Sequence, residues 1–183
     1  MKKELRLRLI KKRKALSDHE REEKSKGILR CLELLPEIKK SKSVLCYVSI
    51  REEVSTREFI EKNINTKKII VPVMIDNQIV PCILSSVNEL SPGKFGIPEP
   101  INKNRYNGEI DCILVPGIGF DMEGYRIGYG YGHYDIFLRN RKGIKIGLCF
   151  EAQLQKKFPH EQHDIPMNII ITQKRVIRVQ KNI

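Results

Sequence analysis

The strongest constraint on the fold of this chain is a series of short, unbroken apolar runs. They read SVLCYVSI at 43–50, KKIIVPVMI at 67–75, QIVPCIL at 78–84, DCILVPGIGF at 111–120 and GIKIGLCF at 143–150, with NIIIT and RVIRV near the carboxyl end. Strands open to water on one face alternate apolar with polar residues, whereas continuous runs mark strands covered on both faces. Helical text separates the runs. The expected class is therefore α/β: a three-layer sandwich with a largely parallel central sheet and helices on both faces. The last two runs are candidates for antiparallel edges. A length of 183 residues suits one domain, 1–183.

The helix signals are local. From Lys2 to about Leu16 the text is helical, with Leu5, Leu9 and Leu16 on or near one side and basic residues around them. Ser17-Asp-His-Glu20 is a capping-box pattern opening a second helix that carries Ile28, Leu29, Leu32 and Leu35 and stops near Pro36. Ser55-Thr-Arg-Glu58 predicts a cap on a short helix through Asn63, and Asp76-Asn77 predicts the turn between two strands. A further helix is expected near 133–141.

The formal charge of +12 asks for a partner. Residues 1 to 42 hold 15 Lys or Arg against 7 Asp or Glu. A solvated helical face, a nucleic-acid surface and a site for a polyanionic small molecule would each produce this bias, and composition leaves them open. No RNP, KH or helix-turn-helix pattern supports an RNA- or polyanion-binding module, so a nucleic-acid partner is not expected. Cys31, Cys46, Cys82, Cys112 and Cys149 are widely spaced and form no C-x-x-C pair, which predicts buried free thiols and neither a disulfide framework nor a zinc site. No apolar run is long enough to span a membrane, and the charged amino terminus lacks a signal core, so a cytoplasmic protein is expected.

The stretch GYRIGYGYGHYDIFL at 124–138 carries the chemistry. It is a poor strand, since Gly128, Gly130 and Gly132 offer no side chains. A dinucleotide fingerprint would need glycine where His133 stands, and no Gly-Lys-Ser/Thr follows for a Walker loop. The fold is thus expected to be Rossmann-like without that fingerprint. What remains is a loop entering a helix, where alternate glycines let backbone amides converge on an anion, with Arg126 beside them. Asp135 in the first helical turn is either a dipole-compensating acid or a magnesium ligand.

The wider text VPGIGFDMEGYRIGYGYGHYDIFL resembles the signature of the 5-formyltetrahydrofolate cyclo-ligase family, also called methenyltetrahydrofolate synthetase. That signature reads approximately P-G-x-x-F-D-x-x-G-x-R-[LI]-G-x-G-x-G-[YF]-Y-D-x-x-L. Pro116, Gly117, Phe120, Asp121, Gly124, Arg126, Gly128, Gly130, Gly132, Tyr134, Asp135 and Leu138 fit it. Lys2-x-x-x-Arg6, SIREEVST, FGIPEP and HDIPMN fall in family order elsewhere. His133 stands where Tyr or Phe is usual, Tyr129 and Tyr131 replace basic residues of some members, and Asn168 sits where an acid is common.

The resemblance implies conversion of 5-formyltetrahydrofolate to 5,10-methenyltetrahydrofolate, with ATP as co-substrate and Mg2+ as cofactor. It implies that Arg126, Tyr134 and Asp135 are catalytic. ATP would be held by Lys2, Lys3 and Arg6 of the first helix together with Arg126, Ile127, Gly128, Tyr129, Gly130, Tyr131, Gly132, His133 and Tyr134. The folate, with or without a polyglutamate tail, would meet Val48, Glu53, Phe95, Tyr129, Gly130, Tyr131, Gly132 and His133. Asp135 and Asp164 would hold the metal. Taken singly, Glu53 also reads as a surface acid, Asp164 as a turn residue before Pro166, and Val48 or Phe95 as packing. A monomer is expected. A non-catalytic member that binds nucleotide or folate is the alternative within the family.

Overall fold

The computed structural model describes residues 2–93 and 96–180. In chain order the helices are α1 (Lys2–Lys14), α2 (Asp18–Leu34), α3 (Pro36–Lys40), α4 (Arg57–Asn63) and α5 (His133–Leu138). The strands are β1 (Ser43–Leu45), β2 (Lys68–Ile75), β3 (Gln78–Ile83), β4 (Leu90–Pro92), β5 (Pro98–Pro100) and β6 (Cys112–Val115). They continue as β7 (Gly119–Asp121), β8 (Arg126–Ile127), β9 (Ile144–Leu148), β10 (Leu154–Gln155), β11 (Ile169–Ile171) and β12 (Val176–Arg178).

Seven strands form the central sheet in the order β12-β11-β9-β6-β1-β2-β3. The five inner strands are parallel, and β3 and β12 close the edges antiparallel; of the two terminal runs only RVIRV is such an edge, while NIIIT becomes the inner strand β11, parallel to β9. Alternate residues of each strand go to opposite faces. On one face Val44, Ile69, Val71, Leu114 and Ile171 pack with Ile28, Leu32, Ile38 and Phe59 of α2, α3 and α4. On the other, Leu45, Ile70, Ile113 and Ile170 meet Phe137 and Leu138 of α5 and Phe120 of β7. Full burial of such a side chain contributes about 1.5–3 kcal/mol each, which is why both faces are apolar.

The local signals mostly hold. Ser17 caps α2: its Oγ accepts the Glu20 amide at 3.2 Å while its own amide donates to the Glu20 carboxylate at 2.9 Å. Asp76 and Asn77, both at positive φ, form the two-residue hairpin between β2 and β3. The Ser55 cap does not form. The N-cap of α4 is Thr56, and its hydroxyl donates to the Tyr47 carbonyl at 2.6 Å instead of holding the helix end. That bond also shortens the first strand. Cys46 makes one more ladder bond, to the Ile70 carbonyl, and Thr56 and Ser49 then draw the chain out of the sheet.

The DCILVPGIGF run is divided as well. Its first half is β6, and its second half, after Pro116, is β7 in a separate small sheet ordered β10-β7-β8. Against this sheet lies α1, with Leu9 packed on Ile118, Ile127 and Phe158. Contact is close because residue 119 is glycine: a Cβ there would lie 2.5 Å from Leu9 Cδ1. Leu16, expected on the same side as Leu9, packs instead against the main core. All five cysteines are free, and four are buried. Burial pushes the Cys46 thiol up to about 12. No helix among the described residues is long and apolar enough to cross a membrane.

Candidate active site

The order of the parallel strands reverses between β1 and β6. In open α/β sheets, the loops leaving the carboxyl ends of two such strands diverge and leave a crevice. Here the loop after β1 carries Val48, Glu52 and Glu53, and the excursion after β6 carries Arg126, the glycine loop and α5. Docked on the small sheet, α1 brings Lys2, Arg6 and Arg13 to the same end.

Within the glycine loop, Gly130 has φ +105° and Gly132, the N-cap of α5, has φ +69°, both left-handed values that L side chains adopt only with strain. Arg6 is bound to this loop: its Nε donates to the Gly128 carbonyl at 2.8 Å. A Cβ at Gly130 would sit 3.4 Å from the Arg6 guanidinium. Tyr129 accepts a hydrogen bond from Arg13 Nη2 at 3.0 Å. The Tyr131 and His133 rings stack with centroids 5.5 Å apart, and Tyr131 is 72% exposed. Ile127, expected among the nucleotide contacts, puts its side chain into the small core with Leu9, and its carbonyl accepts from the Ile118 amide.

Arg126 Nη2 donates to Asp135 Oδ2 at 2.8 Å, and its guanidinium lies 5.4 Å from the Tyr134 ring centroid. Burial, with the Glu53 carboxylate next, pushes the Tyr134 phenol well above its ordinary value. Asp135 Oδ1 accepts the Ile165 amide at 3.3 Å, which places Asp135 beside the segment carrying Asp164. Lys2 Nζ lies 3.1 Å from both Asp164 and Glu161. Burial opposes the Asp164 charge, but the Glu161 amide and Lys2 outweigh it and hold the carboxyl below the usual Asp range. Lys3 is exposed on α1. Phe95 lies outside the described residues.

Glu53 keeps part of its surface open, and its carboxylate accepts the Ile50 amide at 3.1 Å. Desolvation nevertheless raises its pKa above the ordinary Glu value, with the Ile50 amide and Arg13 pulling the other way. Val48 is half-buried against the main core.

Two residues matter here that sequence reasoning did not assign. Arg13 is only 2% exposed, and its Nε and Nη1 have no hydrogen-bond partner among the described residues. Arg126 Nε is orphaned in the same way. Asp121, matched in the signature without a role, is fully buried. Its Oδ1 accepts the Glu123 and Tyr125 amides and its Oδ2 the Phe158 amide, so it braces the hairpin that presents Arg126.

The donor set fits magnesium of one kind. No group of three or more His, Cys, Asp or Glu suited to a metal occurs among the described residues. Asp135 and Asp164 supply two hard oxygen donors, and magnesium usually takes one or two carboxylates and fills its shell with phosphate and water. Asp135 and Asp164 are the residues that would hold such an ion, and each is now paired with a cation, Asp135 with Arg126 and Asp164 with Lys2. A separate open cavity of about 570 Å3, lined by Glu37, Ser41, Asp111 and Asn140, lies at the opposite, amino-terminal ends of the strands and contains none of these residues.

Comparison with known proteins shows the family and the fold. The model described as the 5-formyltetrahydrofolate cyclo-ligase family matches residues 1–173. A solved structure of 5,10-methenyltetrahydrofolate synthetase from Aquifex aeolicus superposes with a TM-score of 0.90 at 38% identity, covering 100% of this chain and 94% of that one. A Mycoplasma pneumoniae structure of the same description gives a TM-score of 0.73 at 27% identity, covering 94% of this chain and 98% of that one. The 5-formyltetrahydrofolate cyclo-ligase of Mus musculus is 26% identical over 91% of both chains.

Proposed function

The chain belongs to the 5-formyltetrahydrofolate cyclo-ligase family, and from that premise we propose that it converts 5-formyltetrahydrofolate to 5,10-methenyltetrahydrofolate, with MgATP consumed and ADP and phosphate released. One observation carries the reading: Arg6, Arg126 and Lys2 converge with the glycine loop and two carboxylates beside a second half holding Val48, Glu53 and Arg13.

The chemistry needs both halves. A formamide is a poor electrophile, because its oxygen leaves badly. Attack of the formyl oxygen on the γ-phosphorus of ATP breaks the bond to ADP and turns that oxygen into a phosphate leaving group. The folate N10 lone pair then closes on the formyl carbon, N10 loses its proton, and phosphate departs with the former formyl oxygen. The protein's task is positioning and charge stabilisation.

Arg6 and the amides of the glycine loop would hold the transferred phosphoryl oxygens, and Arg126 would face the charge that builds as the bond to ADP breaks. Asp135 and Asp164 would hold magnesium, which when bound neutralises phosphate charge. Glu53 would accept N–H groups of the pterin, while Tyr129, Tyr131, His133 and Tyr134 wall the boundary between the two substrates and exclude water. The basic field of the chain would concentrate both polyanions.

The test is coupling. Purified protein with MgATP should release phosphate only when 5-formyltetrahydrofolate is added, with the methenyl chromophore rising in step. Tight binding of both ligands without turnover would identify a non-catalytic member instead.

A further inference from the structure

Arg13 is the anomaly of the site. A guanidinium carries five N–H donors and is always charged, so its burial is costly unless those donors are met. Arg13 is 2% exposed, yet among the described residues Nε and Nη1 have no acceptor. Nη2 donates to the Tyr129 hydroxyl at 3.0 Å and lies 3.8 Å from the Glu52 carboxylate. The Arg13 charge is also felt by Glu53. Two buried donors are thus left unmet close to the Glu52 and Glu53 carboxylates.

Their surroundings select the ligand. An anion such as phosphate would meet Glu52 and Glu53 at the same place, which disfavours it. A neutral heterocycle with both donors and an acceptor along one edge matches the pair. Along its 2-amino, N3–H and C4 carbonyl edge, a reduced pterin reads donor, donor, acceptor. A carboxylate can take the two N–H groups, and a neighbouring guanidinium can supply the carbonyl.

We propose that Arg13 is a specificity-determining residue that donates to the C4 carbonyl of the pterin while Glu53 accepts from N3 and the 2-amino group. This rests on the folate reading above. Arg13 would then discriminate 4-oxo folates from 4-amino analogues, whose amino group donates where the carbonyl accepts. A site built to hydrogen-bond one group rejects a ligand that lacks it, because buried donors are left unmet.

The experiment compares dissociation constants for 5-formyltetrahydrofolate and its 4-amino-4-deoxy analogue, without ATP, in wild type and Arg13→Met. The expected result is a loss of roughly tenfold to a hundredfold for the 4-oxo ligand and a much smaller loss for the 4-amino one. Equal losses for both, or none, would overturn the proposal. Should Arg13→Met fail to fold, the Arg13 Nε–H resonance of wild type, identified by its absence in Arg13→Lys, decides the question. It should move on adding 5-formyltetrahydrofolate and stay in place with MgATP alone; the reverse pattern assigns Arg13 to phosphate and sinks the idea. Wild type that binds no 5-formyltetrahydrofolate would reject the folate reading itself, a result distinct from an Arg13 that binding leaves unmoved.

Discussion

Arg126 and Asp135 are joined by a 2.8 Å hydrogen bond that spans the glycine loop, with side chains only 7% and 16% exposed. The bond ties β8 to α5 and so sets the two ends of the loop relative to each other. Removing one partner of a shielded pair costs about 3 kcal/mol, because the other charge is left uncompensated. Arg126→Met should therefore lose stability in urea melts as well as turnover. Arg126→Lys is the sharper variant. It keeps the charge and loses the planar fork, so the fold should survive while kcat falls by roughly a hundredfold or more. Full kcat in a folded Arg126→Lys enzyme would remove Arg126 from the chemistry.

Glu53 makes the enzyme's pH dependence specific. Its carboxyl is raised by desolvation, so between the ordinary Glu value and its own the folded state holds more protons than the unfolded one. The contribution of Glu53 to stability is then fully present below the unfolded pKa and declines as pH rises through the folded pKa. Melts of wild type and Glu53→Gln from about pH 4 to about pH 8 should show the wild type losing ground to the variant as pH rises, and the gap levelling above the Glu53 pKa. Folate affinity should change in the opposite sense: the KM of wild type rises at acid pH as Glu53 protonates, and Glu53→Gln lacks that inflection. A gap that widened as pH fell would contradict the assignment.

Asp121 tests the scaffold apart from the chemistry. Both its oxygens accept backbone amides, three in all. Asp121→Asn must place an NH2 group against at least one N–H donor, leaving a buried group unmet at a cost of about 1–3 kcal/mol. The melting temperature should drop, and at a temperature where the variant is folded its KM values for both substrates should rise because Arg126 is less well held. Unchanged stability would show that the brace is dispensable.

Much of this was legible locally. The Ser17 capping box and the Asp76-Asn77 hairpin depend on near neighbours, and the inner strands announce themselves because both faces are buried. The early end of β1 was not legible, since Thr56 redirects the chain from ten residues on, where the pattern also suggests a cap. Arg13 was the costlier omission. It follows Leu9 by four positions, on the helix face that docks, so its burial was implied. What hid it was the tertiary step, in which Gly119 lets Leu9 sit down on β7 and carries Arg13 in with it.

The fate of the formyl oxygen tests the central claim most directly. With 5-formyltetrahydrofolate labelled by 18O in the formyl group, MgATP and enzyme, the account predicts one 18O atom in the inorganic phosphate for each methenyl group formed. Label recovered in water, with unlabelled phosphate, would contradict phosphorylation of the formyl oxygen and with it the roles given to the two halves of the site.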